Sequence, residues 1–496
     1  MQPELSIIRY LYSDFYAIKR EIKMDFRVKH VGNTNSVQLR LIKYLHWLVT
    51  VGIFFVFWLQ FRYPEHDLHF SRAFRYNIFI TLGFGVLLGW FNKTFNSYTL
   101  GYFRIRSLAF SQCLADFFST VIIYLAVTVA WFKIYSPWIF IPMLLVHTVW
   151  NCIWSYHANG YYFKIVSRYH TVVVYRNRDD LRRFGDISGK PMERLFNIEE
   201  YIQYNGTDFF EIEGRLAAFD CIFAAGVNPT MMNALCKYCA EKNVRGFFLP
   251  HIGDVIMCGA EHIKSFTSPI FSVRRATPQY EFQVVKRLFD IFFSLVFIVF
   301  TAPIMLVIAV AVKAYDGGPV FYKQVRLTKD GKQFKIVKFR SMRVDAEKDG
   351  VARLSTGDKD PRITPIGRLI RAVRFDELPQ LWNILIGDMS VVGPRPERPE
   401  IAEEYRKYIP GFDLRLQVKA GLTGYAQVYG KYNTNPYEKL EFDLLYINQM
   451  NIVTDLELMF NTFRILFSRE STEGVEDDTG WLKEQEKNKE EAVQTR

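Results

Sequence analysis

Hydrophobic positions are spread unevenly along the chain. Four nearly continuous apolar stretches, at about 44–61, 76–91, 110–132 and 138–156, predict transmembrane helices, the second being the shortest for a hydrocarbon layer of ~30 Å. Flanking charge sets their orientation. Lys19, Arg20, Lys23, Arg27, Lys29, Arg40 and Lys43 precede the group, and Lys164, Arg168, Arg176, Arg178, Arg182 and Arg183 follow it. The loop between the third and fourth stretches carries only Lys133. The positive-inside bias then puts both ends of the bundle in the cytoplasm. Asp116 and His147 fall within spans, and Asp116 is expected to snorkel toward the basic end or to make a contact inside the bundle.

From about residue 165 to 275 the pattern changes to short β-branched runs alternating with helical ones. Strands are predicted at 171–175, 219–225 and 247–249, with a helix at 230–242 opened by Asn228 as N-cap and Pro229 at its first position. This order predicts a βαβ unit and a small parallel sheet. The first strand runs into Arg176-Asn177-Arg178 and not into a glycine fingerprint, so a Rossmann-like module of structural or regulatory use is expected. Cys236 and Cys239 form a CxxC, but no second pair stands at zinc spacing, which reads as two thiols on one helix.

A fifth apolar run, 288–312, carries Pro303 near its middle, with Lys286 and Arg287 before it and Lys313 after it. A straight crossing would leave the Arg- and Lys-rich last third outside the cytoplasm, against the charge bias. Proline removes a helix hydrogen bond and bends the axis. The run is therefore expected to be a broken, re-entrant helix that dips into the bilayer and returns to the same face.

Composition sharpens this picture. Half of the 496 residues are apolar, 16% are aromatic and 23% are charged. A mean hydropathy of zero is thus an average of unlike parts, and disorder, collagen and disulfide scaffolds are excluded. The first 40 residues are polar and basic, which predicts no cleavable signal sequence. The net charge of +11 favours anionic partners. The basic residues gather around apolar, membrane-facing segments, so the expected partner is the lipid bilayer and not nucleic acid.

Candidate chemistry lies in the last third. Thr364 and Pro365 open a predicted helix in which Ile366, Leu369, Ile370 and Val373 repeat at helical spacing, with Arg368, Arg371 and Arg374 on a neighbouring face. A basic amphipathic helix suits a membrane interface or bound phosphates. Asp376 and Glu377 follow directly, at the start of a second helix. Beside several arginines both carboxylates are expected to stay ionised, which suits a nucleophile or a Mg²⁺ ligand better than a general base. Arg395 stands between Pro394 and Pro396, an arrangement that presents a guanidinium from an extended loop. Upstream, a hairpin turn at 329–332 leads into a strand whose alternation puts Ile336, Lys338 and Arg340 on one face.

At this point a resemblance becomes specific. KRLFDI (286–291), GPVFYKQVRL (318–327), GKQFKIVKFRSM (331–342), DPRITPIGRLIR (360–371), FDELPQLWNILIGDMSVVGPRPE (375–397) and GLTGYAQVYGK (421–431) occur in order. The segment resembles the bacterial sugar transferases, or monotopic phosphoglycosyl transferases. Nearly the whole chain is similar to their larger members, which carry a four-helix membrane bundle and a degenerate nucleotide-binding-like module.

The resemblance implies transfer of a sugar-1-phosphate, glucose or galactose being the expected hexose, from a UDP-sugar to undecaprenyl phosphate, with release of UMP. The setting would be the cytoplasmic face of a bacterial inner membrane, at the start of capsule, exopolysaccharide or O-antigen assembly. Carried over by motif, Asp376 would be the nucleophile and Glu377 would hold Mg²⁺. Arg371 and Arg395 would contact the diphosphate, with Lys338 and Arg340 as further substrate-binding candidates. A homo-oligomer is compatible with this reading, and an inactive scaffold of an assembly complex is the alternative.

The fold expected is an α/β membrane protein. It comprises an N-terminal segment (1–42), a four-span bundle (43–160), the Rossmann-like module (161–278), a mainly helical catalytic domain (279–469) and a charged tail (470–496). Two departures from the family pattern stand out. Ala302-Pro303 replaces the usual Ser-Pro at the helix break, and Arg374-Phe375 precedes the carboxylates where a smaller polar residue is common.

Overall fold

The computed structural model describes residues 33–62, 70–132, 134, 136–177, 180, 181, 183, 192–206, 208–263, 268, 270–276, 278–344, 346, 360–430 and 434–466. The tail 470–496 and most of the N-terminal segment lie outside them. The chain divides into two compact units, Met1–Pro250 and His251–Arg496. Residues 251–278, grouped with the sheet module from sequence, fall in the second.

The first unit begins with four helices, α1 (Asn33–Arg62), α2 (Phe70–Thr94), α3 (Ile105–Trp131) and α4 (Phe140–Ile165). Each packs on the next and α1 packs on α4, closing a ring. Inside it Phe54 stacks on Phe84 at 3.9 Å between ring centroids. Among the described residues of this unit, α1, over Val37–Gln60, and α3 are long and apolar enough to count as candidate spans. The other two helices expected to cross carry Asn77, Asn92, His147, Asn151 and Asn159, all buried in the bundle, and these lower their apolar content.

Asn151 links two further buried polar groups across the bundle. His46 donates from Nε2 to Asn151 Oδ1 at 3.0 Å, and its Nδ1 lies 3.0 Å from the Tyr98 hydroxyl. Asn151 Nδ2 donates to Asp116 Oδ2 at 2.7 Å. Asp116 therefore does not snorkel: it is buried and held across the bundle. Polar side chains that bond across helices act as glue where lipid gives no hydrophobic drive.

The rest of this unit is a parallel sheet of β1 (Tyr169–Tyr175), β2 (Phe196–Gln203), β3 (Cys221–Ala225) and β4 (Arg245–Phe248), in the order β2-β1-β3-β4. Asn228 caps the helix Pro229–Lys242 by accepting from the Met231 N–H at 2.8 Å. That helix carries Cys236, exposed, and Cys239, buried. The strand β2 escapes sequence reading because it is an edge strand with a charged outer side. Its Glu199 pairs with His170, and its Glu200 pairs with Arg215.

In the second unit the helix Tyr280–Asp316 is continuous through Pro303, not broken there as expected, and it is the third candidate span. Before the proline, Phe289, Phe293 and Phe297 pack on the domain core, and Arg287 donates to the Ile384 and Leu385 carbonyls at 2.7 and 2.8 Å. Asp290 accepts from the Val391 N–H at 2.9 Å and from Ser390 Oγ at 3.1 Å. Beyond the proline, Ile308 and Val312 pack with Phe339 and Ile370. Between these anchors Val299, Phe300 and Leu306 are each at least 66% exposed. A short hairpin, Phe321–Leu327 with Gln333–Phe339, turns through residues 329–331 as expected.

One prediction follows from the bundle. Asn151→Leu removes the partner of His46 Nε2 and of Asp116 Oδ2, and buried polar groups without partners cost about 1–3 kcal/mol each. The variant should melt at a clearly lower temperature in detergent than the parent. Equal melting would show that this chain of bonds carries no stability.

Candidate active site

Three segments of the second unit converge on the adjacent carboxylates. The first is the helix Pro365–Ala372, opened as expected by Thr364, whose side chain accepts from the Gly367 N–H at 2.9 Å. Its apolar stripe is divided. Ile370 is buried and Ile366 packs beside it, whereas Leu369 is 70% exposed and Val373 is also exposed. Two residues past the helix end, Arg374 adopts the left-handed conformation at φ 54°. Small polar residues and glycine tolerate that region best, which gives a physical reason for a smaller residue at this position. A single 3₁₀ turn, Phe375–Glu377, then carries both carboxylates.

The second segment is the strand Gln333–Phe339. Its alternation buries Phe334 and Ile336 and aims Lys338 at Glu377, with Nζ to Oε1 at 3.1 Å. Asn383, on the helix Gln380–Ile386, locks the strand to the carboxylate segment. Its Nδ2 donates to the Lys335 carbonyl at 2.9 Å, and its Oδ1 accepts from the Val337 N–H at 3.0 Å. The third segment is the proline-flanked loop, from which Arg395 donates to the same Glu377 oxygen at 3.2 Å. This loop leaves the strand Ser390–Val392, which pairs in parallel with Gly421–Thr423. The two backbones approach so closely at Gly393 and Gly421 that a Cβ on Gly421 would overlap the Gly393 main chain.

The two carboxylates differ in environment. Burial alone would raise the Glu377 carboxyl, but Lys338, Arg395 and Arg374 outweigh it and hold the group well below the usual carboxylate range. Asp376 goes the other way. It is 9% exposed, burial raises its carboxyl, and the negative Glu377 adds to the rise against Lys338, Arg371 and Arg395. Of the two groups expected to stay firmly ionised, only Glu377 has the surroundings for it. Among the described residues no hydrogen bond reaches Asp376, and Glu377 is bonded through one oxygen only.

Of the sequence-derived residues, Asp376, Glu377, Lys338 and Arg395 come together. Arg371 stands at the rim, where its Nε donates to Ser341 Oγ at 2.8 Å. Arg340 is not gathered in. The strand ends at Phe339, so Arg340 leaves the alternation, is buried and pairs with Asp316 through NH1 to Oδ2 at 2.9 Å. Asn383, which ties the strand to the carboxylate segment, was not singled out from sequence. A polar residue at an otherwise apolar helix position, as Asn383 is in LWNILI, was the one available signal.

The described carboxylates also fit Mg²⁺ by their chemistry. This ion takes one or two carboxylate oxygens, keeps water and completes its shell with substrate phosphates. The unbonded oxygens of Asp376 and Glu377 are donors of that kind. No group of three or more His, Cys, Asp or Glu stands at metal-binding distance among the described residues.

Comparison with known proteins supplies the context. Residues 281–469 match the bacterial sugar transferase family. The chain is 42% identical over 209 residues, 41% of its length, to a UDP-glucose:undecaprenyl-phosphate glucose-1-phosphate transferase of Klebsiella pneumoniae, of which the match covers 43%. It is 35% identical over 199 residues, 38% of its length, to an undecaprenyl-phosphate galactose phosphotransferase of Salmonella typhimurium, covering 41% of that protein. The chain thus spans less than half the length of these two relatives. It is also 40% identical over 188 residues, 36% of its length, to the exopolysaccharide production protein PSS of Rhizobium leguminosarum, and there the match covers 93% of the relative. With that relative almost wholly covered, and with the carboxylate pair and its cations in place, the chain belongs to the bacterial sugar transferase family.

Proposed function

We propose that the protein transfers a sugar-1-phosphate from a UDP-sugar to undecaprenyl phosphate, with Asp376 as nucleophile. The observation that carries this reading is the contrast within the carboxylate pair. Glu377 is neutralised by Lys338 and Arg395, while Asp376 is buried beside it with no hydrogen bond among the described residues to restrain its oxygens. A desolvated, unrestrained carboxylate is a stronger nucleophile than a hydrated one.

The chemistry balances without proton transfer. An Asp376 oxygen attacks the phosphorus that bears the sugar, the bond to the bridging oxygen breaks, and UMP leaves with that electron pair. The acceptor phosphate then attacks the same phosphorus, and the aspartyl bond breaks to regenerate the carboxylate. Arg395 and Arg371 would hold the diphosphate, and Lys338 would keep Glu377 anionic and in place. Glu377 would bind Mg²⁺, which supplies countercharge to the phosphates.

The membrane setting follows the same reading. Thirty unbent helical residues would span ~44 Å. Arg287 and Asp316, however, are anchored through Ile384 and Arg340 to one small domain, which supports a bent, re-entrant helix 280–316. The exposed Leu369, Val373 and Trp382 beside Arg368 and Arg371 suit the headgroup layer. Four spans in the bundle, a cytoplasmic site and a role in starting capsule or exopolysaccharide assembly complete the proposal. The names of the relatives favour glucose or galactose.

The test is UMP release from UDP-glucose, UDP-galactose and UDP-N-acetylgalactosamine in the presence of undecaprenyl phosphate and Mg²⁺. A hexose substrate should be turned over, and Asp376→Asn should lose at least about three orders of magnitude. Undiminished release by this variant would remove the nucleophile, and no release by the parent from any donor would leave an inactive scaffold.

A pH dependence follows from the same surroundings. Asp376 must be ionised to attack, and burial raises its carboxyl, so the acid limb of kcat/KM should lie above the ordinary carboxylate range. Arg371 favours the ionised form. Its replacement in Arg371→Met should therefore move the limb to higher pH, and a limb that stays put or moves down would contradict this.

A further inference from the structure

The loop that delivers Arg395 is held almost entirely by its carbonyls. Pro394 and Pro396 have no N–H to donate. Each of four successive carbonyl oxygens instead meets a donor from elsewhere in the domain. The Pro394 carbonyl accepts from the Gly421 N–H at 2.8 Å, and that of Glu397 from the Leu327 N–H at 2.9 Å. Between them the donors are guanidinium groups. Arg415 donates to the Arg395 carbonyl at 2.9 Å, and Arg326 donates to the Pro396 carbonyl at 3.0 Å.

These two arginines belong to a cluster of charges in which Arg415 and Asp443 are buried and Arg326 and Glu397 are half-buried. Arg415 is 3% exposed, pairs with Asp443 at 2.7 Å, lies 3.6 Å from Glu397 and stacks over Phe412 at 5.1 Å. Arg326 lies 3.9 Å from the other oxygen of Glu397 and donates to Gln324 at 2.8 Å. Withdrawing these charges from water, Arg415 and Asp443 above all, costs desolvation that apolar packing would avoid. Neither guanidinium is bonded to Asp376 or Glu377. What the cluster does hold is the main chain of the residue that reaches Glu377.

We propose that Arg415 and Arg326, neutralised by Asp443 and Glu397, are positioning residues that clamp the 394–397 backbone and so aim Arg395 at the diphosphate. This rests on the proposed function, in which Arg395 binds the diphosphate of the donor. A guanidinium on a long, flexible stem is useful to a transition state only if its root is fixed. Displacements of about 1 Å at such groups can cost ~10²-fold.

The test is a thermodynamic cycle on the full chain in detergent, with UDP and Mg²⁺ as the probe and calorimetry as the readout. The first clamp variant combines Arg415→Met with Asp443→Leu, so that no charge is left stranded. The second is Arg326→Met, which serves if the first fails to fold as judged by its melting. Each should weaken UDP binding by about tenfold or more, and neither should weaken it further once Arg395→Ala is present. A turnover assay should show the loss mainly as a raised KM for the UDP-sugar.

Folded clamp variants with parental UDP affinity would overturn the proposal, as would losses that add in full to that of Arg395→Ala. Failure of the parent to bind UDP would instead overturn the diphosphate site itself, and the clamp with it.

Discussion

Two neighbouring carboxylates that leave water together need positive charge close at hand, because each raises the other's cost of ionisation. Asp376 and Glu377 share one 3₁₀ turn, so their separation cannot be relaxed. Much of the second unit can be understood as the answer to that constraint. One cation comes from a hairpin strand, another from a proline-flanked loop, and others from the helix that precedes the turn. Asn383 ties the strand to the carboxylates, and Asp290 fixes the strand that feeds the loop.

The compensation is unequal, and the inequality is the chemically useful part. Lys338 and Arg395 both address the same oxygen of Glu377. Asp376 feels the same cations from further away and is governed by desolvation. One carboxyl is thereby held well below the usual range and the other is raised above it, from the same residue chemistry and within one turn of chain. In the proposed reaction this division lets a water-soluble donor and a lipid acceptor react in turn at a single atom.

Much of this was legible in the sequence, and the parts that were not have identifiable causes. Local signals were reliable: the caps at Thr364 and Asn228, the hairpin turn before Gln333, and the pairing of acidic and basic residues around 371–377. Signals that depend on tertiary burial were not. Lys338 and Arg340 look equivalent in an alternating pattern, yet the strand ends between them and sends Arg340 to Asp316. The rise at Asp376 depends on what covers it, which no local pattern records. The strand Phe196–Gln203 reads as polar because only one side of an edge strand is buried. Pro303 marks a helix that stays continuous, since the residues around it keep helical geometry on both sides. Arg326 and Arg415 are ordinary basic residues until the loop they grip is in view.

The central claim is that the phosphosugar passes through Asp376. Its most direct test is peptide mass spectrometry of the protein after incubation with UDP-sugar and Mg²⁺ in the absence of any lipid acceptor. The account predicts a hexose-phosphate adduct on the peptide containing Asp376, discharged when undecaprenyl phosphate is added. UMP release without any adduct, or an adduct on another residue, would contradict it.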